Sequence, residues 1–255
     1  MSISFEERKK VIFNMLNRQD RVRIAELVDV LGVSGETIRR DLDRMEKENL
    51  LKKVHGGAVM EKGHSLEPPF DKKSMVNAEG KRNICRAAAE LVEDGDIIMI
   101  GHGTTPSHMV SYLKGKKNIT IVTPSIPILM MCLDGFEGRV IFTGGELGKD
   151  QKLTAGPIAE KMIDELKANK AFIAPGGIST ESGITDYDIF GANLSRKLME
   201  RADEVIVLAD YSKLGKTTFA HISSLSEMDR LITDKPLSPD WLIQLDSLEI
   251  NIVVG

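Results

Sequence analysis

The stretch Gly32-Val33-Ser34-Gly35-Glu36-Thr37-Ile38-Arg39-Arg40-Asp41-Leu42 decides the fold of the amino-terminal part of this chain. A glycine readily takes the left-handed conformation that stops a helix, and Ser34 supplies a side-chain oxygen to cap the next one. Upstream, Ile24, Leu27, Val28 and Leu31 fall on one face of a helix over 24–31. Downstream, at 100° per residue, Ile38, Leu42 and Met45 point inward along a helix from Gly35 to about Glu48. Further out, Ser4 and Glu7 form a capping box for a first helix reaching about Asn17, with Val11, Ile12, Met15 and Leu16 buried. Arg21-Val22-Arg23 reads as extended; Leu50–Val54 and Ala58–Met60, joined by Gly56-Gly57, read as a hairpin. Three short helices and a small hairpin predict a winged helix-turn-helix over residues 1–60, an α+β DNA-binding domain.

The third helix carries the chemistry expected to read a duplex. Glu36, Arg40, Asp43 and Arg44 lie outward, with Thr37 and Arg39 on the flanks and Asp41 at the packed edge. Arg40 suits a bidentate contact to guanine, and Thr37 a base edge or thymine methyl. Arg39, Arg44, Ser34 with the free N–H groups of the helix start, and Lys52, Lys53 and His55 on the wing are candidates for phosphate, Arg44 for a base as well. Glu36 stands four residues before Arg40, so an ion pair on a solvated face competes with the DNA role.

Composition bounds the rest. The chain has 255 residues, with 34 Lys or Arg against 38 Asp or Glu and a formal net charge of -4. Residues 1–60 balance at +2 and residues 61–255 at -6, so any attraction to nucleic acid is local. Aromatics at 5% argue against a stacking platform for single strands. Cys85 and Cys132 alone exclude a disulfide scaffold or a Cys-rich metal site, and no His or Cys grouping has zinc spacing; no cofactor or metal is expected. No apolar run reaches transmembrane length and residues 1–10 lack a signal core, so a cytoplasmic location is expected.

Residues 61–80, with Pro68, Pro69 and flanking glycines, read as a linker, part of which can lie against the second domain. From Lys81 to Gly255 brief Val/Ile-rich runs alternate with helical patterns, which predicts an α/β domain with a mostly parallel sheet covered on both faces. Strands are expected near 96–100, 119–122, 139–142, 171–174, 205–209, 231–233 and 249–254. Open α/β sheets bind ligands beyond the carboxyl ends of their strands. There the sequence places Gly103-Thr104-Thr105, Thr123-Pro124-Ser125, Gly144-Gly145 and Gly176-Gly177, whose hydroxyls and N–H groups suit a phosphate or carboxylate. Lys213 offers the charge an anion needs. Asp210 would orient Lys213 or accept from a sugar hydroxyl. Asp186 and Asp188, in a loop after Gly183, are candidates to face the cleft, and His102 is a further candidate anion contact.

Ile24-Ala25-Glu26-Leu27, Gly32-Val33-Ser34, Thr37-Ile38-Arg39-Arg40-Asp41-Leu42 and His55-Gly56-Gly57-Ala58 together resemble the signature of the DeoR family of bacterial transcriptional regulators. The resemblance continues through Lys81–Ala89, Gly103-Thr104-Thr105, Thr123, Gly144-Gly145, Gly156 and Ala209-Asp210-Tyr211-Ser212-Lys213, so it spans nearly the whole chain. It implies a third helix in the major groove of operator DNA. It also implies a sensor domain similar in fold to ribose-5-phosphate isomerase and coenzyme A transferases. The family resemblance further implies repression of a sugar or polyol catabolic operon, controlled by a phosphorylated sugar or related anionic metabolite. A winged helix covers one half-site, so a homodimer or homotetramer is expected. Two departures stand out: Gly101 occupies a place where the family usually has aspartate, and Pro124 one where it commonly has asparagine. The alternative is an aldose–ketose phosphate isomerase using one of Glu181, Asp186, Asp188 or Asp210 as base. None of these has a sequence setting that marks it as catalytic, so the expectation is a protein that is not an enzyme.

Overall fold

The computed structural model describes residues 4–19, 21–47, 51–59 and 67–255. They divide into two units, 1–66 and 67–255, each with its own core.

In the first unit, α1 (Phe5–Gln19) begins at the predicted capping box. The Glu7 N–H donates to Ser4 Oγ at 3.3 Å, and the Ser4 N–H to Glu7 Oε2 at 2.9 Å. Strand β1 (Arg21–Arg23) leads into α2 (Ile24–Leu31), which stops at Gly32 with φ +63°. Helix α3 (Gly35–Lys47) starts where the Thr37 N–H donates to Ser34 Oγ at 3.2 Å. The inward sides of the helices meet in one cluster containing Ile12, Leu16, Leu27, Leu31, Ile38, Leu42 and Met45. Each such side chain contributes about 1.5–3 kcal/mol on burial. The wing is β2 (Lys52–Val54) and β3 (Gly57–Val59), and β1 joins it to give an antiparallel sheet in the order β1-β3-β2. Glu48, Leu50 and Met60, predicted at element ends, lie outside the described residues.

The two wing glycines have different reasons. Gly56 turns the chain at φ +78° with open space around its Cα. Gly57 sits where a Cβ would lie 2.0 Å from the Val22 carbonyl oxygen, so only glycine lets β1 approach β3. Asp41 is buried, as its edge position predicts. It accepts from Arg8 Nε at 2.6 Å and from Arg8 Nη2 at 2.9 Å, which ties α1 to α3.

The second unit opens with α4 (Phe70–Ser74) and α5 (Ala78–Glu90). The chain then runs through β4 (Ile97–Ile100), a 3₁₀ turn (Pro106–Tyr112), β5 (Thr120–Thr123), α6 (Ile126–Leu133), β6 (Arg139–Phe142), β7 (Glu146–Gly148), β8 (Leu153–Ala155) and α7 (Pro157–Asp164). It continues with β9 (Ala168–Ile173), β10 (Gly177–Ser179), β11 (Gly183–Asp186), α8 (Ile189–Glu200), β12 (Ala202–Leu208) and β13 (Ala220–Ser223). It closes with β14 (Arg230–Thr233), α9 (Pro239–Asp246) and β15 (Asn251–Val254). Seven parallel strands pair in the order β15-β14-β12-β9-β4-β5-β6. Alternate residues serve opposite faces. Met99, Ala171 and Val207 pack with residues of α7 and α8, while Ile98, Phe172 and Ile206 pack with residues of α5 and α6. Among the described residues no helix is long and apolar enough to cross a membrane.

Residues 67–80 fall in the second unit, in keeping with the reading that part of 61–80 can lie against the second domain. Phe70 is buried and its N–H donates to the Asp150 carbonyl at 2.8 Å, while Asn77 Nδ2 donates to Asp234 Oδ2 at 2.8 Å. One of the helical patterns expected after Lys81, Pro106–Tyr112, is 3₁₀. The hairpin β7–β8 replaces a plain turn after Gly144-Gly145. Finally, Asp186 ends β11 in a small antiparallel sheet of order β10-β11-β13, instead of lying in a loop.

Candidate nucleic-acid interface and ligand cleft

On α3 the exposed side presents Arg39 and Arg40, whose side chains are 58% and 79% exposed. The competing helix-face pairs are formed: Glu36 lies 3.5 Å from Arg39 Nη1 and 3.6 Å from Arg40 Nε. Exposed pairs of this kind are worth less than about 1 kcal/mol, so they orient both guanidiniums without committing them. Thr37 Oγ1 is 2.9 Å from Ser34 Oγ at the start of the helix. Arg44 is held with its guanidinium 4.1 Å from the centre of the Phe5 ring. Lys53 bonds twice to α3, its Nζ to Asp43 and its N–H to Glu46 Oε1 at 2.7 Å. Asp43 and Glu46 of α3 thus brace the wing through Lys53. Lys52 and His55 are exposed.

In the second unit the carboxyl ends of the parallel strands gather most of the predicted ligand residues. After β4, Gly103 has φ +110°, and Thr104 and Thr105 are buried. The Thr104 and Thr105 carbonyls accept from Ser107 Oγ at 2.8 Å and Cys85 Sγ at 2.7 Å. Thr123 is engaged structurally: its hydroxyl donates to the Ile100 carbonyl at 2.8 Å and accepts from the Ser125 N–H at 3.1 Å. The β7–β8 hairpin folds over this turn, the Thr154 N–H donating to the Pro124 carbonyl at 2.9 Å. Gly144 and Gly145 have φ +64° and +111°, and a Cβ on Gly145 would meet the Ala155 carbonyl oxygen at 2.5 Å. Gly176 and Gly177 admit neighbours closely: their Cβ atoms would lie 2.9 Å from the Tyr187 ring and 2.3 Å from the Lys216 carbonyl oxygen. Asp188 caps α8 through the Phe190 and Gly191 N–H groups, and Asp210 accepts from the N–H and hydroxyl of Ser212, fixing the turn that presents Lys213.

His102 Nε2 lies 3.1 Å from Asp186 Oδ2, and both residues are buried. Burial pulls the imidazolium down, but the Asp186 bond and charge, with Glu67, outweigh it and hold His102 above its ordinary range. A Cβ at Gly191 would fall 2.9 Å from His102 Nε2, so that glycine makes room for the pair. His102 Nδ1, Ser125 Oγ, Thr143 Oγ1 and Thr233 Oγ1 are buried without a hydrogen-bond partner among the described residues. All four lie at or just past the carboxyl ends of β4, β5, β6 and β14.

Around this edge stands a group of cations of which only Lys213 was predicted. Lys81, 4% exposed, donates from Nζ to the Lys73 carbonyl at 2.6 Å. Burial lowers it to about 8, and Lys213 and Lys73 add to that against the attraction of Asp210. Lys213 Nζ and Lys216 Nζ stand 5.6 Å and 5.0 Å from the centre of the Tyr187 ring, and Lys216 also donates to the Tyr187 hydroxyl at 2.8 Å. Burial raises the phenol, but Lys213, Lys216 and Lys73 overcome it and bring Tyr187 below its ordinary range. One signal for Lys81 was legible: Lys81, Ile84, Cys85 and Ala88 follow core spacing, which puts a lysine on a buried helix face. A concavity of about 610 Å³ lies elsewhere, lined by Thr180, Glu181, Thr217, Phe219 and neighbours. Among the described residues no group of three or more His, Cys, Asp or Glu is placed to hold a metal ion.

A winged helix with two exposed arginines on its third helix, joined to an α/β domain with a cation-lined sheet edge, has the parts of a ligand-sensing transcriptional regulator. The family model for the DeoR-like helix-turn-helix domain matches residues 8–63, and that for the DeoR C terminal sensor domain matches residues 76–235. The chain belongs to the DeoR family of helix-turn-helix transcriptional regulators. It is similar to the uncharacterized HTH-type transcriptional regulator YulB of Bacillus subtilis, 34% identical over 96% of this chain and 95% of that one. It is also similar to the glycerol-3-phosphate regulon repressor of Escherichia coli, 28% identical over 90% of this chain and 91% of the relative. Among solved structures, ribose 5-phosphate isomerase A of Methanocaldococcus jannaschii matches with a TM-score of 0.38 and 19% identity, over 54% of this chain and 55% of its own.

Proposed function

We propose that this chain is a cytoplasmic repressor of a sugar or polyol catabolic operon, released from or held on its operator by a phosphorylated sugar or related anionic metabolite. The observation that carries the effector class is the convergence of Lys73, Lys81, Lys213 and Lys216 on Tyr187 and the carboxyl edge of the sheet. A buried lysine lowered to about 8 by burial and its neighbours gains most from an incoming anion. Hydroxyls at the same edge without partners suit a ligand that brings oxygens of its own. The Escherichia coli relative is named as repressor of a regulon for a phosphorylated polyol, which supports the same class.

On this reading the second unit senses and does not catalyse. Asp188 and Asp210 are engaged in capping turns, Asp186 is bonded to His102 and the Tyr187 N–H, and Glu181 lies in the other groove. The test selects an operator from random duplexes, then titrates the complex with a panel of sugar and polyol phosphates at fixed salt. One member of the panel is expected to change operator affinity. Lys213→Ala is expected to keep operator binding and weaken that response at least tenfold. A response unchanged by Lys213→Ala would place the effector elsewhere, and turnover of any panel member would restore the isomerase reading.

A further inference from the structure

The second unit begins with a strap, residues 67–74, that runs beside the cation-lined edge. It is tied down along its length. Besides the Phe70 bond to Asp150, Lys152 Nζ is 2.5 Å from Asp71 Oδ1. Gln151 Nε2 lies 3.5 Å and 3.4 Å from the carbonyl oxygens of Glu67 and Pro68. At the head of the strap Glu67 is ion-paired with Lys73, the two side chains being 11% and 15% exposed. Lys73 in turn gives its carbonyl to Lys81. The other cations are held differently: Lys81 by that carbonyl, Lys213 by a ring face and Lys216 by a phenol.

Glu67 is therefore the carboxylate that holds one cation of this group from the strap. Its own setting is unfavourable to charge. Burial raises its pKa and the Asp186 carboxylate adds to that, while Lys73 and His102 oppose the rise. A second anion brought to the same cations disfavours the first, because two like charges sharing one site cannot both be compensated.

We propose that the Glu67 carboxylate is a resident competitor for the anionic group of the effector, holding Lys73 in the ligand-free chain and yielding it when the anion enters. The inference rests on the reading of this edge as an anion site. It adds a switch: the residue displaced is the first of the second unit, directly after the segment that leads from the DNA-reading unit. Filling the cleft then loosens the strap at the point where the two units join in sequence.

The experiment uses the full chain and inorganic phosphate, titrated calorimetrically at constant ionic strength against a chloride background. Glu67→Gln keeps the shape of the side chain and removes its charge. It is expected to bind phosphate at least fivefold more tightly than the unaltered chain. In the unaltered chain, phosphate is expected to speed hydrogen–deuterium exchange in the peptide covering residues 67–74, and Lys213→Ala to abolish both binding and the change in exchange. If Glu67→Gln does not fold, the exchange measurement alone decides. Equal or weaker phosphate affinity in Glu67→Gln, or a strap whose exchange phosphate leaves unchanged, overturns the competitor while Lys213-dependent binding preserves the anion site. Absence of phosphate binding to both chains overturns the two together.

Discussion

Arg40 shows how one side chain can be legible and still contested. Its helix position points it outward, and it is the more exposed of the two arginines on that face. Glu36 is within ion-pair distance, but a solvated pair costs little to exchange for a guanine edge. Arg40→Ala is expected to weaken the cognate operator about tenfold or more, and scrambled duplex much less, since a bidentate base contact is worth about 1–3 kcal/mol. Equal losses on both duplexes, measured at one salt concentration, would move Arg40 from base reading to phosphate contact. Asp41, its neighbour in sequence, illustrates the opposite outcome: one step around the helix turns it inward to Arg8. The cleft lysines were less readable. Lys213 announces itself in a turn after a strand, whereas Lys73 and Lys81 sit in and beside a stretch whose prolines and charges look like linker.

Among elements, the wing gives the sharpest case. Gly56 is required by backbone conformation and Gly57 by close approach to Val22. The two glycines should therefore respond differently. Gly56→Asn is expected to cost only a few tenths to about 1 kcal/mol, because asparagine tolerates the left-handed region. Gly57→Ala is expected to cost about 2–3 kcal/mol, because its Cβ has nowhere to go without separating β1 from β3. Denaturant unfolding of the full chain followed at the first unit checks this; equal costs would show that the strand pairing yields to a Cβ. The elements that escaped sequence reading are those with weak local signals. Strands β7, β8 and β10 are three residues each, as short as those of the wing but without its Gly-Gly turn to mark them, and they exist through pairing partners.

At the scale of the molecule, two units with separate cores divide the labour between reading a duplex and sensing a ligand. A single winged helix reaches one half-site, so the working regulator is expected to be at least a dimer. Sedimentation should show a dimer or tetramer. The operator should contain two half-sites with centres about 34–36 Å apart, or a multiple of that. Inserting about half a helical turn between them should cut affinity at least tenfold. A monomer protecting one half-site, indifferent to the insertion, would exclude this arrangement.

The amino-acid sequence by itself determined the winged helix, because caps, a left-handed stop and a helical period are properties of neighbours along the chain. It likewise determined the class of the second unit, since the apolar runs of buried parallel strands stand out whatever their order. The order of those strands, and with it the meeting of Glu67, Lys73 and Lys81 with His102, Asp186, Tyr187, Lys213 and Lys216, was decided only in the tertiary structure. Burial and charge coupling are properties of pairs brought together across many residues, and no local pattern along the chain carries them.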